Sequence, residues 1–154
     1  MTKDIVAQIK TDLNTKNKFT PEVNTTLTIK DLLKGLSLLK NTGKVIVYAN
    51  NTSFYGAIAS LEGSESRLSF IPNFQENISG QILGKPIKEE DALANGEILI
   101  LDPSQFLYNV VQDIMIERDK DIKKHVNIIS GFAIAGGSLT NDKAGAMITV
   151  TIGG

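Results

Sequence analysis

The stretch that decides the fold is Gly96-Glu97-Ile98-Leu99-Ile100-Leu101-Asp102-Pro103. An aliphatic run of this length, bounded by residues that interrupt strands, is typical of a short buried strand. Aspartate is a favoured helix N-cap and proline suits the first helical position, so Asp102-Pro103 predicts a brief helical turn after the strand. The β-branched run Lys44–Ala49 predicts a second buried strand.

Two helices are predicted before these strands. Residues 1–13 carry one apolar face formed by Ile5, Val6, Ile9 and Leu13. The polar segment 14–26 contains Pro21 and is predicted to be a loop. Thr28 and Asp31 are predicted to start a second helix, with Gly43 closing its end in the left-handed conformation. The apolar face of this second helix comprises Ile29, Leu32, Leu33, Leu36 and Leu39.

The rest of the chain continues to mix helical and extended signals. A third helix, capped by Asn51 or Thr52, is expected to use Phe54, Ile58 and Leu61 as its apolar face and to break at Gly63-Ser64. The other predictions are extended structure at 67–71, a long strand near 110–117, and a C-terminal hairpin of 126–134 with 146–152, joined by a projecting loop at 135–145. The predicted fold class is α+β: one domain with a mixed β-sheet, flanking helices and a C-terminal β-hairpin.

Composition excludes several classes of protein. The 154 residues are 42% hydrophobic and 21% charged with a net charge of −1, which suits one globular domain and disfavours a protein that coats nucleic acid. There is no cysteine, hence no disulfide framework and no thiol nucleophile. We expect no membrane segment, because the longest nearly apolar stretch, Gly131–Gly137, is far shorter than the roughly 20 residues that cross a bilayer.

The residues offer little for catalysis. His125 is the only histidine, so a histidine pair cannot bind a metal ion, and we interpret it as a surface or strand-entry residue beside Lys123 and Lys124. Ser104 lacks the Gly-x-Ser-x-Gly setting of an exposed nucleophile, and we expect it to form hydrogen bonds in the helical turn after Asp102.

The acidic residues form no recognisable site. Glu89, Glu90 and Asp91 form one cluster, and Asp119 and Asp121 another, both mixed with lysines as on a solvated surface. Neither cluster has the spacing of a calcium-binding loop. We therefore predict no catalytic, cofactor-binding or metal-binding residues, and no small-molecule substrate.

Five segments occur in an order known from one protein family. Residues 82–87 (Ile-Leu-Gly-Lys-Pro-Ile) closely match its Leu-Leu-Gly-x-Pro-Val motif, and residues 98–106 (Ile-Leu-Ile-Leu-Asp-Pro-Ser-Gln-Phe) are similar to Ile-Leu-x-Gly-Asp-x-Ser-x-Tyr. The strand 45–50 with its following helix, the strand 110–118 and the terminal strands complete the order. From about Val45 onward, the sequence resembles the C-terminal part of tailed-bacteriophage major capsid proteins.

This resemblance implies a structural subunit that assembles with copies of itself into pentamer and hexamer rings of an icosahedral shell. Packaged DNA would be only an indirect partner, and the protein would be found in the virion and, during assembly, in the cytoplasm of the bacterial host. The family fold implies three parts: 1–27 as a helix and connection (a possible remnant of the family's spine helix), 28–125 as an axial-like domain, and 126–154 as the hairpin of a peripheral-like domain. The glycine-rich hairpin tip and the acidic loop near Glu89 are the candidate subunit contacts.

The sequence also departs from the family pattern. The long extended loop that carries the cross-linking lysine of some relatives is not recognisable before Val45, so we expect no cross-linking. On this interpretation the chain is a truncated subunit that does not build a shell alone.

Two other classes of function remain open at this stage. A small phage-related interaction module without catalysis would share the same composition and would form a small oligomer. A hydrolase would need a carboxylate with a strongly perturbed pKa in a cleft, chosen among Glu89, Glu90, Asp91, Asp102 and Asp113.

Overall fold

The predicted strand at 97–101 lies inside the larger sheet. The computed structural model describes residues 3–22, 27–59, 61, 70–75, 78–121 and 126–152, with side-chain surroundings for these residues except 70–79, 111–115, 117–121 and 126–134. Strand β6 is Glu97–Leu101. Ile98, Leu99 and Ile100 are fully buried, although successive side chains point to opposite faces. Both faces of the sheet are therefore covered, as the apolar run predicts.

The larger sheet is mixed. Besides β6, its strands over the described residues are β1 Lys18–Phe19, β2 Ile46–Ala49, β3 Phe70–Gln75, β4 Ile78–Ile82, β5 Lys85–Glu89 and β9 Gly145–Thr149. They follow the order β1-β9-β6-β2-β5-β4-β3. Strand β6 runs antiparallel to both β2 and β9, whereas β2–β5 and β1–β9 are parallel pairs. Segment 14–26 is thus more than the predicted loop, because it supplies a 3₁₀ turn at Thr15–Asn17 and the edge strand β1.

Two helices cover the two faces of this sheet. Helix α1 (Lys3–Asp12) belongs to one apolar cluster, and helix α2 (Ile29–Ser37) to the other. The α1 cluster contains Val6, Ile9, Leu13, Leu99, Leu101 and Met147, whereas the α2 cluster contains Leu32, Leu39, Ile98, Ile100, Ala146 and Ile148. The alternation along β6 and β9 divides each strand between the clusters, which gives three layers with the sheet in the middle.

Helix α2 begins where the sequence predicts and ends earlier. The Thr28 hydroxyl accepts from the Asp31 N–H, and the Asp31 carboxylate accepts from the Thr28 N–H at 2.9 Å, which is a reciprocal capping box. The predicted closure by a left-handed Gly43 is wrong, since the helix ends at Ser37 and Gly43 has no positive φ. Instead, the Gly43 N–H donates to the Asn41 side-chain oxygen at 2.9 Å, forming a separate turn.

The third predicted helix is present but irregular. Helix α3 (Asn51–Ser53) continues into a π-helical turn, Phe54–Ile58. The N-cap is Asn50, whose side chain accepts from the Ser53 N–H at 2.7 Å, rather than Asn51 or Thr52. Phe54, Ile58 and Leu61 are buried, which confirms the predicted apolar face. The predicted break at Gly63-Ser64 lies outside the described residues.

A hairpin that the sequence analysis did not predict joins β4 to β5. Its two turn residues, Leu83 and Gly84, have φ values of 51° and 71°, as in the type I′ turns that favour tight hairpins. Strand β3 contains Pro72, which its edge position tolerates. The extended structure predicted at 67–71 is confirmed for residues 70 and 71, and residues 67–69 lie outside the described ranges.

The predicted C-terminal hairpin is wrong in its pairing. Strand β7 (Phe106–Asp121) pairs with β8 (Val126–Leu139) in a separate two-stranded sheet, whereas β9 joins the larger sheet. The reason is burial: Ala146, Met147 and Ile148 are all buried on alternating faces, which needs a place inside a covered sheet. Segment 135–145 is accordingly no projecting loop, because 135–139 belong to β8 and Asp142–Ala144 form a 3₁₀ turn. The α+β class with a mixed sheet and flanking helices is confirmed.

Candidate assembly surface

The long strands β7 and β8 form a two-stranded antiparallel ribbon. Phe106 lies opposite Leu139 at one end and Asp121 opposite Val126 at the other, with register shifts between Val110 and Met115. At a rise of roughly 3.3 Å per residue, strands of 16 and 14 residues give a ribbon about 50 Å long. No further strand pairs with it within the described ranges.

The base of the ribbon is fixed to the body of the protein. Phe106 and Leu139 pack against the α1 cluster. The Leu139 N–H donates to the Asp12 carboxylate at 2.7 Å. The Thr140 N–H and hydroxyl donate to the Gln105 carbonyl and side-chain oxygens at 2.9 and 2.8 Å. The ribbon therefore starts from a defined position on the sheet.

Apolar side chains on the ribbon are exposed. The exposed fractions are 63% for Leu107, 59% for Tyr108, 46% for Val110 and 66% for Ile116. Neighbouring residues of a strand point to opposite faces, so Leu107 and Tyr108 expose apolar surface on both sides. A two-stranded ribbon is marginally stable alone in water, and an apolar patch on it is typical of an interaction site. We call these four residues the ribbon patch.

The three residues of the acidic cluster Glu89–Asp91 differ in their exposure to solvent. Glu89 and Asp91 are exposed as predicted, but Glu90 is only 7% exposed, so a solvated surface position is wrong for this residue. The backbone N–H of Glu90 donates to the Ala49 carbonyl at 2.9 Å. This hydrogen bond holds Glu90 against strand β2, directly after the end of β5. Burial, together with the nearby Glu90 carboxylate, raises the pKa of the Tyr48 phenol above 10.0.

Ser104 has the role that the sequence predicts. Its N–H and hydroxyl donate to one oxygen of Asp102 at 3.0 and 2.6 Å, so both residues hold the 3₁₀ turn Pro103–Gln105 that leads into β7. His125 lies outside the described residues. The side chains of Asp113, Asp119 and Asp121 also lie outside them.

In the part of the chain that the structure describes, no three acidic or histidine side chains are grouped so that they would hold a metal ion. No helix in the same ranges has the length and hydropathy needed to cross a membrane.

The start of the ribbon differs from the sequence-based expectation. The long strand was predicted from about Val110, whereas β7 begins at Phe106. The available signal was Phe106 and Tyr108, two aromatic residues of the kind that favours strands, directly after the helical turn. The exposure of Leu107 and Tyr108 could not be predicted in the same way, because it depends on which residues of the ribbon remain uncovered after folding.

Solved structures with a similar fold include a chain of an encapsulin complex and chains of two mycobacteriophages. One chain of the holo-SrpI encapsulin complex from Synechococcus elongatus PCC 7942 matches 95% of this chain with a TM-score of 0.65 and 15% identity. Chains of Mycobacterium phage Patience and Mycobacterium phage Che8 match 90% and 94% of it, with TM-scores of 0.61 and 0.58 and identities of 14% and 18%. This chain covers 57%, 46% and 56% of those three chains, so it spans about half their length.

These similarities define the class: an α+β protein with the fold of capsid and encapsulin subunits. The model of the phage capsid family matches residues 5–150. The chain therefore belongs to the phage capsid family, as the order of its sequence segments indicated. A sequence comparison with curated proteins gives no match.

Proposed function

We propose that this chain is a structural subunit, or part of one, of an icosahedral phage or prophage capsid, and that it acts by self-association rather than by catalysis. Membership of the phage capsid family supports the role. The observation that carries the mechanism is the ribbon patch, where Leu107, Tyr108, Val110 and Ile116 are each 46–66% exposed on a ribbon with no further strand beside it in the described ranges.

The occupant of the ribbon patch in this proposal is a second copy of the chain. Repeated contacts between identical subunits generate closed symmetric assemblies, and covering the patch removes apolar surface from water at roughly 25 cal/mol per Å². Pentamer and hexamer rings, an indirect relation to packaged DNA, and assembly in the host cytoplasm before incorporation into the virion all belong to this proposal.

The internal division of the chain is also a proposal. A helix and connection at 1–27, an axial-like part at 28–125 and a peripheral-like part at 126–154 remain predictions. The pairing of β7 with β8 joins segments on both sides of residue 125, so the ribbon links the two larger parts.

A first experiment asks where the protein is found in its source cell after induction. Peptide 45–67 contains no internal lysine or arginine, so a tryptic digest releases it intact for mass spectrometry. We expect it in nuclease-protected megadalton particles. Recovery only in a light, soluble fraction would contradict a capsid role and favour the small interaction module.

A second experiment tests the ribbon patch itself in those particles. The double variant Leu107→Ser/Tyr108→Ser is compared with Leu33→Ser/Tyr55→Ser, which changes side chains of similar type and exposure elsewhere (50% and 54%). For the ribbon variant, we expect the fraction of the protein recovered in particles to fall by about tenfold or more. For the control variant, we expect this fraction to stay unchanged. Circular dichroism checks that both fold. Equal particle yields would show that the ribbon patch is not the contact.

A further inference from the structure

A polar pocket of about 380 Å³ lies beside the base of the ribbon. Three connections build it: the segment after α2, the 3₁₀ turn before β7, and the turn before β9. Hydrogen bonds hold these connections together, since the Lys40 N–H donates to the Lys143 carbonyl at 3.1 Å and the Asp102 N–H to the Ala144 carbonyl at 2.9 Å. The polar lining residues are Lys40, Asn41, Asp102, Gln105, Asn141 and Lys143.

The three carboxamides of the pocket are all oriented by protein donors. The side-chain oxygen of Asn41 accepts from the Gly43 N–H, and that of Asn141 from the Lys143 N–H, both at 2.9 Å. The side-chain oxygen of Gln105 accepts from the Thr140 hydroxyl at 2.8 Å. With the oxygens occupied, three NH₂ groups are left, and none of them donates to another group in the described part of the chain. These are donors for a ligand with several acceptor oxygens.

The charges of the pocket favour an anion at its rim. Lys40 and Lys143 are exposed, and neither forms an ion pair with any of the described residues. Asp102 contributes one opposing charge, so the lining residues carry a net charge of +1. Two ammonium groups and three carboxamide donors suit an oxyanion.

Asp102 adds a requirement that a fully deprotonated anion does not meet. Only 4% of this residue is exposed. One oxygen, Oδ1, accepts from the N–H and the hydroxyl of Ser104. The other oxygen, Oδ2, accepts from no donor in the described ranges. No side-chain oxygen of the described residues is both buried and without a hydrogen-bond partner, so Oδ2 is accessible from the pocket that Asp102 lines. A ligand in the pocket can therefore donate a hydrogen bond to it.

We propose that this pocket binds a phosphate group that carries at least one O–H, either as inorganic phosphate or as a phosphomonoester. Its unprotonated oxygens accept from the lysines and carboxamides, and its O–H donates to Asp102. Sulfate and phosphodiesters have no O–H near neutral pH and satisfy only the first set of contacts. The site is independent of the proposed role in assembly.

The test is a titration of the ¹⁵N-labelled full chain at constant ionic strength near pH 6. The probes are inorganic phosphate, glycerol 2-phosphate, dimethyl phosphate and sulfate. We expect phosphate to shift the side-chain NH₂ signals of Asn41, Gln105 and Asn141 in a saturable way. Since a hydrogen bond to a charged group changes affinity by about tenfold or more, sulfate and dimethyl phosphate are expected to bind at least about tenfold more weakly. Comparing phosphate with glycerol 2-phosphate separates the free ion from the monoester as the preferred form.

Three variants separate this site from general attraction between charges. Lys143→Ala should weaken phosphate binding by about tenfold, whereas Lys30→Ala removes an exposed lysine of α2 outside the pocket and should leave it unchanged. Asp102→Asn keeps an acceptor for Ser104 and should abolish the preference for phosphate over sulfate. Equal binding of phosphate and sulfate by the wild-type protein, equal effects of the two lysine variants, or no saturable shift would each overturn the proposal.

Discussion

The carboxylate of Asp12, the last residue of helix α1, accepts a hydrogen bond at 2.7 Å from the backbone N–H of Leu139, the last residue of strand β8. The contact joins positions 127 residues apart. It fixes the base of the ribbon to the helix that covers one face of the larger sheet. The orientation of the ribbon patch therefore depends on a helix near the start of the chain.

Removing this contact should loosen the base of the ribbon. Asp12→Ala is expected to lower the free energy of unfolding by about 1.5–3 kcal/mol, the range for hydrogen bonds to charged groups. It should also speed hydrogen exchange at the Leu139 amide. Gln8→Ala is the matched control, because Gln8 donates to the other oxygen of Asp12 and does not contact Leu139. Equal exchange rates at Leu139 in both variants would refute this role of Asp12.

Two glycines with the same backbone requirement should differ in their sensitivity to alanine. Gly84 and Gly96 have φ values of 71° and 85°. A Cβ at Gly84 meets nothing within 4 Å, whereas at Gly96 it would lie 2.0 Å from the Val150 carbonyl oxygen. Gly84→Ala is expected to cost about 1–2 kcal/mol from backbone strain alone, and Gly96→Ala more than about 4 kcal/mol. Urea unfolding measures both, and similar losses would contradict the steric explanation.

The part of the fold that sequence predicted well is the part fixed by local signals. The Ile98–Leu101 run is long enough to show burial on both faces, and the Asp102 and Thr28 caps need only neighbouring backbone groups. The family resemblance extended this to the fold class, since it depends on the order of segments rather than on any one of them.

The errors are those of long-range pairing. The segment 146–152 is as compatible with a hairpin partner as with a central strand, and its place beside β6 depends on contacts with residues about 50 positions away. The pocket was equally hidden, because Lys40, Gln105 and Lys143 are far apart in sequence and belong to no motif. Exposure of the ribbon patch also follows only from the final packing.

Helix α2 gives a direct test of one such error, since the sequence assigned both Leu32 and Leu33 to the buried face. Leu32 is 1% exposed and Leu33 is 50% exposed. The reason is Gly35, where an added Cβ would lie 2.7 Å from the end of Ile100, so the helix approaches the sheet on the side of its glycine. Leu32→Ala should cost about 2–5 kcal/mol and Leu33→Ala less than about 0.5 kcal/mol. Thermal or urea unfolding of the two variants measures this difference. Equal losses in the free energy of unfolding would show that Leu33 is also packed.

Alkaline pH should destabilise the protein through Tyr48. Burial of this residue, with a smaller contribution from the negative charge of Glu90, raises the pKa of its phenol above the ordinary 10.0. The folded protein then holds the phenol proton at pH values where the unfolded chain has released it. Ionisation of Tyr48 therefore does not change the free energy of unfolding below about pH 10. Above that pH, it lowers the free energy of unfolding as the pH rises through the folded-state pKa.

The measurement is urea unfolding at a series of pH values from about 8 to 11, with phenolate absorbance to follow ionisation. Tyr48→Phe should flatten the alkaline decline, whereas Tyr55→Phe, at a side chain that is 54% exposed, should retain it. Glu90→Gln should reduce the decline only in part, because burial is the larger cause of the raised pKa. If the free energy of unfolding of Tyr48→Phe falls as steeply with pH as that of the wild-type protein, another group is responsible for the alkaline loss of stability.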